Sequence, residues 1–282
     1  MGASLTETAE PMPHVTLNGA SIHYVERGQH HPDALILLHG FPLHSGMWAA
    51  QLDALSTRGR IIAPDFRGFG RSAPTGPYTI EQLADDVHAL VQHLGLGRIV
   101  LAGLSMGGYV ALAYATKYPA TLRGLILLDT KAQADAAEAR QNRDRMIAIA
   151  NEKGAKPIAD AMLGKMIPET TAQNRPQVAQ DLRQMMESTH PHAIAHALAA
   201  MRDRPDQTTA LPGLATPTLI LVGDQDAITP PDVAQAMHEK IPGSQLTVIT
   251  GSGHMSPVEQ PQQVNAAIEQ FLAALRVNAT GE

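Results

Sequence analysis

The stretch Val100-Leu101-Ala102-Gly103-Leu104-Ser105-Met106-Gly107-Gly108-Tyr109 joins an apolar run, Arg98 to Ala102, to a helix-compatible segment, Tyr109 to Tyr118. Gly-x-Ser-x-Gly between a strand and a helix is the pattern of a nucleophile elbow. In so sharp a turn the serine backbone is strained, and side chains two residues to either side collide. Glycine at 103 and 107 removes that collision. The Ser105 hydroxyl is then lifted above the sheet, and the Met106 N–H at the helix start faces the same space. The competing interpretation is a glycine-rich turn with an incidental serine, and it weakens if a base and an orienting acid follow in the right order.

A serine hydroxyl is a poor nucleophile until a base takes its proton and a third group orients the base. In this topology the expected order is Ser, then Asp or Glu, then His. His254 fits as the base, because it lies in Gly251-Ser252-Gly253-His254-Met255 just after the apolar run Gln245 to Thr250. Three carboxylates compete for the acid. Asp226, in Gly223-Asp224-Gln225-Asp226-Ala227-Ile228-Thr229-Pro230, stands clear of the preceding strand end and is favoured. Asp224 is expected to hydrogen-bond its own loop, and Asp129 to terminate its strand while remaining the reserve acid. Two N–H donors are needed for the charge on a tetrahedral intermediate. Met106 N–H is one, and Phe41 N–H, in His39-Gly40-Phe41-Pro42, is the natural second. His39 reads as structural rather than basic.

These residues need strands and helices to converge them. Val15 to Leu17, Asn18-Gly19 and Ser21 to Glu26 predict a β-hairpin, because Asn-Gly supplies the positive φ of a tight turn. Strands are expected at Ala34 to Leu38, Arg60 to Pro64, Arg98 to Ala102, Leu122 to Leu128, Thr218 to Val222 and Gln245 to Thr250. Helices are expected at Met47 to Leu55, Thr79 to Leu94, after Ser105, Pro231 to Ile241 and Pro261 to Leu275. Ile80, Leu83, Val87, Leu90, Val91 and Leu94 recur at helical spacing, with Thr79 as N-cap and Gly95 as the stop. The alternation predicts a mostly parallel sheet covered on both faces, with ligands at the carboxyl ends of its strands. Residues 131–210 interrupt the rhythm: they are charged, rich in Ala, Gln and Met, and hold no convincing strand. They are expected to form a helical insertion over that same edge. The expected organisation is a flexible tail over 1–13, a core over 14–130 and 211–282, and a helical cap over 131–210.

The chain has 282 residues, 17% of them charged and 44% hydrophobic, which is ordinary for a folded globular protein. A net charge of −6 argues against nucleic acid as a partner. With no cysteine there is no disulfide framework, thiolate metal site or cysteine nucleophile. The opening residues lack a secretory pattern and no apolar run is long enough to span a membrane, so the cytoplasm is the expected location. Other patterns read as structural. Gly68-Phe69-Gly70 lacks the third glycine of a dinucleotide fingerprint and reads as a turn. His192 and His196 lie four apart with His190 nearby, but no third ligand is evident. Met146, Met162, Met166, Met185, Met186 and Met201 read as packing.

His39-Gly40-Phe41-Pro42, Asp65-x-Arg67-Gly68-x-Gly70-x-Ser72, Gly103-x-Ser105-x-Gly107, Asp226 and Gly253-His254 together resemble the α/β-hydrolase superfamily, from about residue 15 to 275. Gly-Leu-Ser-Met-Gly-Gly and Gly-His-Met-Ser-Pro-Val-Glu-Gln-Pro resemble its esterase and 3-oxoadipate enol-lactonase branch. The resemblance implies an eight-stranded, mostly parallel sheet with a helical cap inserted after the sixth strand. It further implies a hydrolase without cofactor or metal, with Ser105, Asp226 and His254 as a triad. Serine at the elbow speaks against relatives that use aspartate there. The expected reaction is hydrolysis of small carboxylic esters through an acyl-enzyme. The alternatives are a lactonase, a C–C bond hydrolase, a perhydrolase with the same triad, and a ligand-binding protein on a hydrolase scaffold. Binding a dicarboxylate lactone would require inward-facing cations, for which Arg140, Arg143 and Arg145 are the cap's candidates, although salt-bridged surface arginines are the favoured reading. The expected partner is a small ester or lactone, and monomer and homodimer both remain open.

Overall fold

The computed structural model describes residues 13–28 and 34–280, with side chains through 276. The expected tail falls almost entirely on residues 1–12, outside the described ones. Strands β1 (His14–Leu17), β2 (Ala20–Arg27), β3 (Ala34–Leu38), β4 (Arg60–Pro64), β5 (Ile99–Leu104), β6 (Leu122–Leu128), β7 (Thr218–Gly223) and β8 (Gln245–Ile249) form one eight-stranded sheet. Their order is β1-β2-β4-β3-β5-β6-β7-β8. The hairpin β1–β2 pairs antiparallel across Asn18-Gly19, β2 is antiparallel to β4, and every pairing from β4 to β8 is parallel. Ser105, Asp226 and His254 each follow the carboxyl end of a strand, β5, β7 and β8, so chain order alone brings them to one edge.

The helices that cover the sheet are α1 (Ala49–Leu55), α2 (Ile80–His93), α3 (Met106–Lys117), α9 (Pro231–His238), α10 (Ser256–Glu259) and α11 (Pro261–Thr280). Between β6 and β7 lie α4 (Ala137–Lys153), α5 (Lys156–Met166), α6 (Glu169–Asn174), α7 (Pro176–Glu187) and α8 (Pro191–Asp203). Residues 131–210 hold no strand, as their composition implies. A 3₁₀ turn at Thr208–Gly213 crosses the expected boundary at 210 and leads back to the sheet.

Alternation within the central strands builds two cores. Ile36, Leu38, Ile99 and Leu101 face one side with Leu83, Val87, Leu90 and Val110 of α2 and α3. Leu35, Leu37, Val100, Ala102 and Leu104 face the other with Leu52 of α1 and Val264, Ile268 and Phe271 of α11. Strands buried on both faces must be apolar throughout, which explains Ala-Leu-Ile-Leu-Leu in β3.

Some boundaries differ from the pattern. α9 stops at His238 instead of Ile241, where Gly243, at φ +67, carries the turn into β8. A 3₁₀ turn over Ser45–Trp48 precedes α1, and Asp65 Oδ1 accepts the Ser45 N–H there at 2.7 Å. Gly68-Phe69-Gly70 lies in a run of turns, closed by Phe69 N–H to Phe66 O and Ser72 N–H to Phe69 O, both at 2.9 Å.

Helix α2 carries a reciprocal cap: the Gln82 N–H donates to Thr79 Oγ1 at 3.2 Å, and the Thr79 N–H donates to Gln82 Oε1 at 2.9 Å. Thr79→Ala leaves one of those orphan donors to water and is expected to cost about 1 kcal/mol. For a chain of this size that lowers the melting temperature by about 2 °C, readable by scanning calorimetry. An unchanged transition contradicts the role given to this cap.

Candidate active site at the carboxyl edge of the sheet

Ser105 alone separates β5 from α3, at φ 53° and ψ −111°. For a residue with a side chain this backbone costs on the order of 1–3 kcal/mol, so surrounding bonds must over-determine it. Ser105 N–H donates to Leu128 O at 3.0 Å, while Ser105 O accepts from Gly108 N–H at 2.9 Å and from Thr130 Oγ1 at 2.8 Å. A Cβ at Gly103 would lie 2.2 Å from Gly107 O, and one at Gly107 would lie 2.3 Å from Leu38 O. Neither site admits any side chain. The helix begins at Met106, ahead of the apolar pattern at Tyr109. Gly107-Gly108 is a poor helix former, but the first turn must lie against Leu38, His39 and Thr130, and that close approach overrides propensity.

Asp226 and His254 meet: His254 Nδ1–H donates to Asp226 Oδ2 at 2.8 Å, with both residues buried. Asp226 Oδ1 accepts the Ile228 and Thr229 N–H groups at 2.8 and 2.9 Å, and Thr229 Oγ1 donates to Oδ2 at 2.7 Å. Burial alone would raise this carboxyl, but the His254 bond and charge and the Thr229 donors hold it below the usual carboxylate range. Burial likewise works against a charged His254, and the Asp226 bond, with the charges of Asp226, Asp129 and Glu259, outweighs it and raises the imidazole. An acceptor at Nδ1 fixes the tautomer, leaving Nε2 as the proton acceptor.

Asp129 ends its strand as expected, whereas the Asp224 carboxylate binds the loop beyond β8 and not its own. Asp224 Oδ1 accepts from Gly251 N–H at 2.9 Å and Ser252 N–H at 3.2 Å within the loops. Asp129, at φ 44°, ends β6: its Oδ1 accepts from Gly223 N–H at 2.8 Å and its Oδ2 from Ser256 Oγ at 2.5 Å. Full burial and the charge of Asp226 push its carboxyl up to about 7.

The loop after β3 adjoins the elbow. A Cβ at Gly40 would lie 2.6 Å from Leu104 Cδ2 and 3.5 Å from Ser105 Cβ, which brings the Phe41 backbone close to the serine. His39 fixes this loop: Nδ1 lies 3.0 Å from Gly40 O, and Nε2 accepts the Phe66 N–H at 3.0 Å. Burial drives its pKa down to about 4, so it is neutral and structural near neutral pH.

One buried carboxylate escaped the sequence reading. Glu259 Oε1 accepts from Gly253 N–H at 2.9 Å and Met255 N–H at 3.2 Å, the N–H groups of the residues on either side of His254. A Glu five residues after a candidate base, before Gln-Pro, was the available signal. Arg143 is bonded to Asp135, Arg140 pairs with Asp203 at 3.3 Å, and exposed Arg145 reaches Asn142. His190 caps α8 by accepting the His192 N–H, and among the described residues no group of His, Asp or Glu is placed to hold a metal ion. Met166, Met186 and Met201 are buried in packing.

Residues 33–261 match the α/β-hydrolase fold family, and the chain belongs to it. Among solved structures it is similar to a thermophilic esterase from Thermogutta terrifontis, determined with malate bound, at 43% identity and a TM-score of 0.90, covering 93% of this chain and 98% of that one. It is 33% identical to an AB hydrolase superfamily protein, YisY, of Bacillus subtilis, over 88% of this chain and 98% of the relative. It is 30% identical to 3-oxoadipate enol-lactonase 2 of Acinetobacter baylyi, over 92% and 95% respectively.

The geometry separates the two acids by experiment. With p-nitrophenyl acetate, Asp226→Asn is expected to lower kcat/KM on the order of 10⁴-fold. The acid limb of the wild-type pH profile should fall above the ordinary imidazole value of about 6.5, because the histidine must lose a proton that Asp226 helps retain. In Asp226→Asn the limb moves to lower pH, since the imidazolium loses that support. Asp129→Asn is expected to cost less than about tenfold. A loss at Asp129 matching that at Asp226 reverses the assignment.

Proposed function

We propose that the protein hydrolyses small carboxylic esters through an acyl-enzyme on Ser105. His254 Nε2 takes the Ser105 proton as Oγ attacks the ester carbonyl, and Asp226 holds the ring and stabilises the imidazolium. The carbonyl oxygen, now negative, accepts from the Phe41 and Met106 N–H groups. Collapse of this intermediate expels the alcohol, which receives the proton from His254. Water, deprotonated by the same nitrogen, then attacks the acyl group, and the acid leaves as Ser105 is reprotonated. The helical segment between β6 and β7 acts as the cap that shapes the acyl pocket.

The observation that carries this reading is the buried His254–Asp226 pair, with Nδ1 engaged and Nε2 left to act, at the edge where Ser105 is held in its strained turn. Esters are favoured over dicarboxylate lactones because the cap arginines that would hold a second carboxylate are engaged elsewhere: Arg143 by Asp135 and Arg140 by Asp203 at the surface. Lactone hydrolysis is the second reading, supported by the likeness to an enol-lactonase, and it uses the same acyl chemistry. C–C bond cleavage and perhydrolysis would use the same three residues.

The test is steady-state turnover of p-nitrophenyl esters from acetate to octanoate beside an enol-lactone. The expected result is a higher kcat/KM on the short esters than on the lactone, with Ser105→Ala reducing ester turnover by more than about 10³-fold. Lactone preference selects the second reading. No turnover of any of them favours a ligand-binding scaffold, and full activity in Ser105→Ala removes the serine from the mechanism.

A further inference from the structure

The segment around His254 is bonded to the helices between β6 and β7 as well as to the sheet. His254 N–H donates to Met166 O, at the end of α5, at 2.9 Å. A Cβ at Gly253 would lie 2.6 Å from Pro168 Cδ and 3.0 Å from Met166 O, so the loop is pressed against the α5–α6 junction. The Glu259 side chain is fully buried between the two. Its Oε1 accepts the Gly253 and Met255 N–H groups and lies 3.3 Å from Ser252 Oγ, while its Oε2 accepts Thr171 Oγ1 of α6 at 2.7 Å. Arg175, between α6 and α7, donates to the main-chain oxygen of Glu259.

An isolated carboxylate is expensive to bury, and here each oxygen is supplied with donors. The arrangement does more than satisfy a charge. The peptides on either side of the His254 Cα set the direction of its Cα–Cβ bond. The N–H of one goes to Met166 O and that of the other to Glu259 Oε1, which also holds the Gly253 N–H one peptide earlier. The second oxygen is tied to α6. We propose that Glu259 is the positioning residue for His254, making correct seating of the α5–α6 junction a condition for a competent base. This inference rests on the assignment of His254 as the base. It adds that the cap helices hold the base itself, besides shaping a pocket. Of the charged groups that bear on it, Arg175 lies on its own main-chain oxygen, and Asp226 and Asp129 act on the same imidazole as Glu259 does.

Three variants separate geometry from charge. Glu259→Gln keeps an acceptor for the two N–H groups and a donor toward Thr171 but removes the charge. Glu259→Ala removes both. Thr171→Val removes only the donor on α6. The readouts are the His254 pKa by NMR titration, with His254→Gln to assign the signal, and the rate at which a fluorophosphonate modifies Ser105.

In Glu259→Gln the His254 pKa is expected to fall, because the imidazolium loses a negative neighbour, while labelling at a pH above the titration stays within about threefold of wild type. Glu259→Ala is expected to slow labelling on the order of 10²-fold, the scale of a misplaced catalytic group, and Thr171→Val by about tenfold. For p-nitrophenyl butyrate the losses should fall on kcat, with KM within about twofold. Labelling slowed as far in Glu259→Gln as in Glu259→Ala, or wild-type labelling in folded Glu259→Ala, overturns the proposal. Should Glu259→Ala not fold, wild-type labelling in Thr171→Val overturns it equally. A wild-type protein that is labelled at Ser105 yet hydrolyses no ester refutes the ester reading alone, and the titration and labelling comparisons still decide the role of Glu259.

Discussion

A carboxylate and an imidazole buried together, 2.8 Å apart, are the constraint around which the carboxyl edge is arranged. Neither group is stable in an apolar interior without partners, and a pair stripped of one member is costly. The chain answers with short-range donors: the Ile228 and Thr229 N–H groups and the Thr229 hydroxyl surround Asp226. With these in place the pair keeps a fixed direction, and the ring's far nitrogen is left to accept a proton. Local turn chemistry thereby sets the electrostatics on which the proposed reaction depends.

The parallel sheet makes that arrangement economical. Strands β5, β6, β7 and β8 run side by side, so each loop beyond a carboxyl end meets its neighbours within a few residues. Asp129 shows how tightly these loops are stitched: from the end of β6 it binds the end of β7 through Gly223 and the segment after His254 through Ser256. The two layers of apolar side chains keep the edge rigid, and strain at Ser105 survives because Leu128 and Thr130 on the adjoining strand and its exit bond that residue's backbone.

Much of this was legible in the sequence because it is local or follows from chain order. Gly103 and Gly107 announce a turn that only glycine fits, Asn18-Gly19 announces the hairpin, and α2 is visible from its apolar spacing and from Thr79 and Gly95. The meeting of Asp226 with His254 follows from both residues lying beyond neighbouring parallel strands. What the sequence concealed depends on contacts between distant segments. Nothing near Glu259 shows that Thr171, 88 positions away, will donate to it, or that Met166 O will receive the His254 N–H. The start of α3 at Met106 follows from the elbow pattern, but only the fold shows that tight packing, and not helix propensity, holds Gly107-Gly108 in its first turn. Arg140 and Arg143 of α4 are salt-bridged as favoured, with Asp203 and Asp135 respectively, but the identity of those partners is visible only in the fold.

The central claim is that one serine carries the acyl group, and the most direct measurement is to catch it there. The protein is mixed with p-nitrophenyl acetate, quenched in acid within the first turnover, digested, and its peptides weighed. The account predicts one acetyl group per chain on the peptide containing Ser105, its appearance matching a burst of p-nitrophenolate. Full ester turnover with no acetyl adduct on that peptide, or with the adduct on another residue, would contradict it.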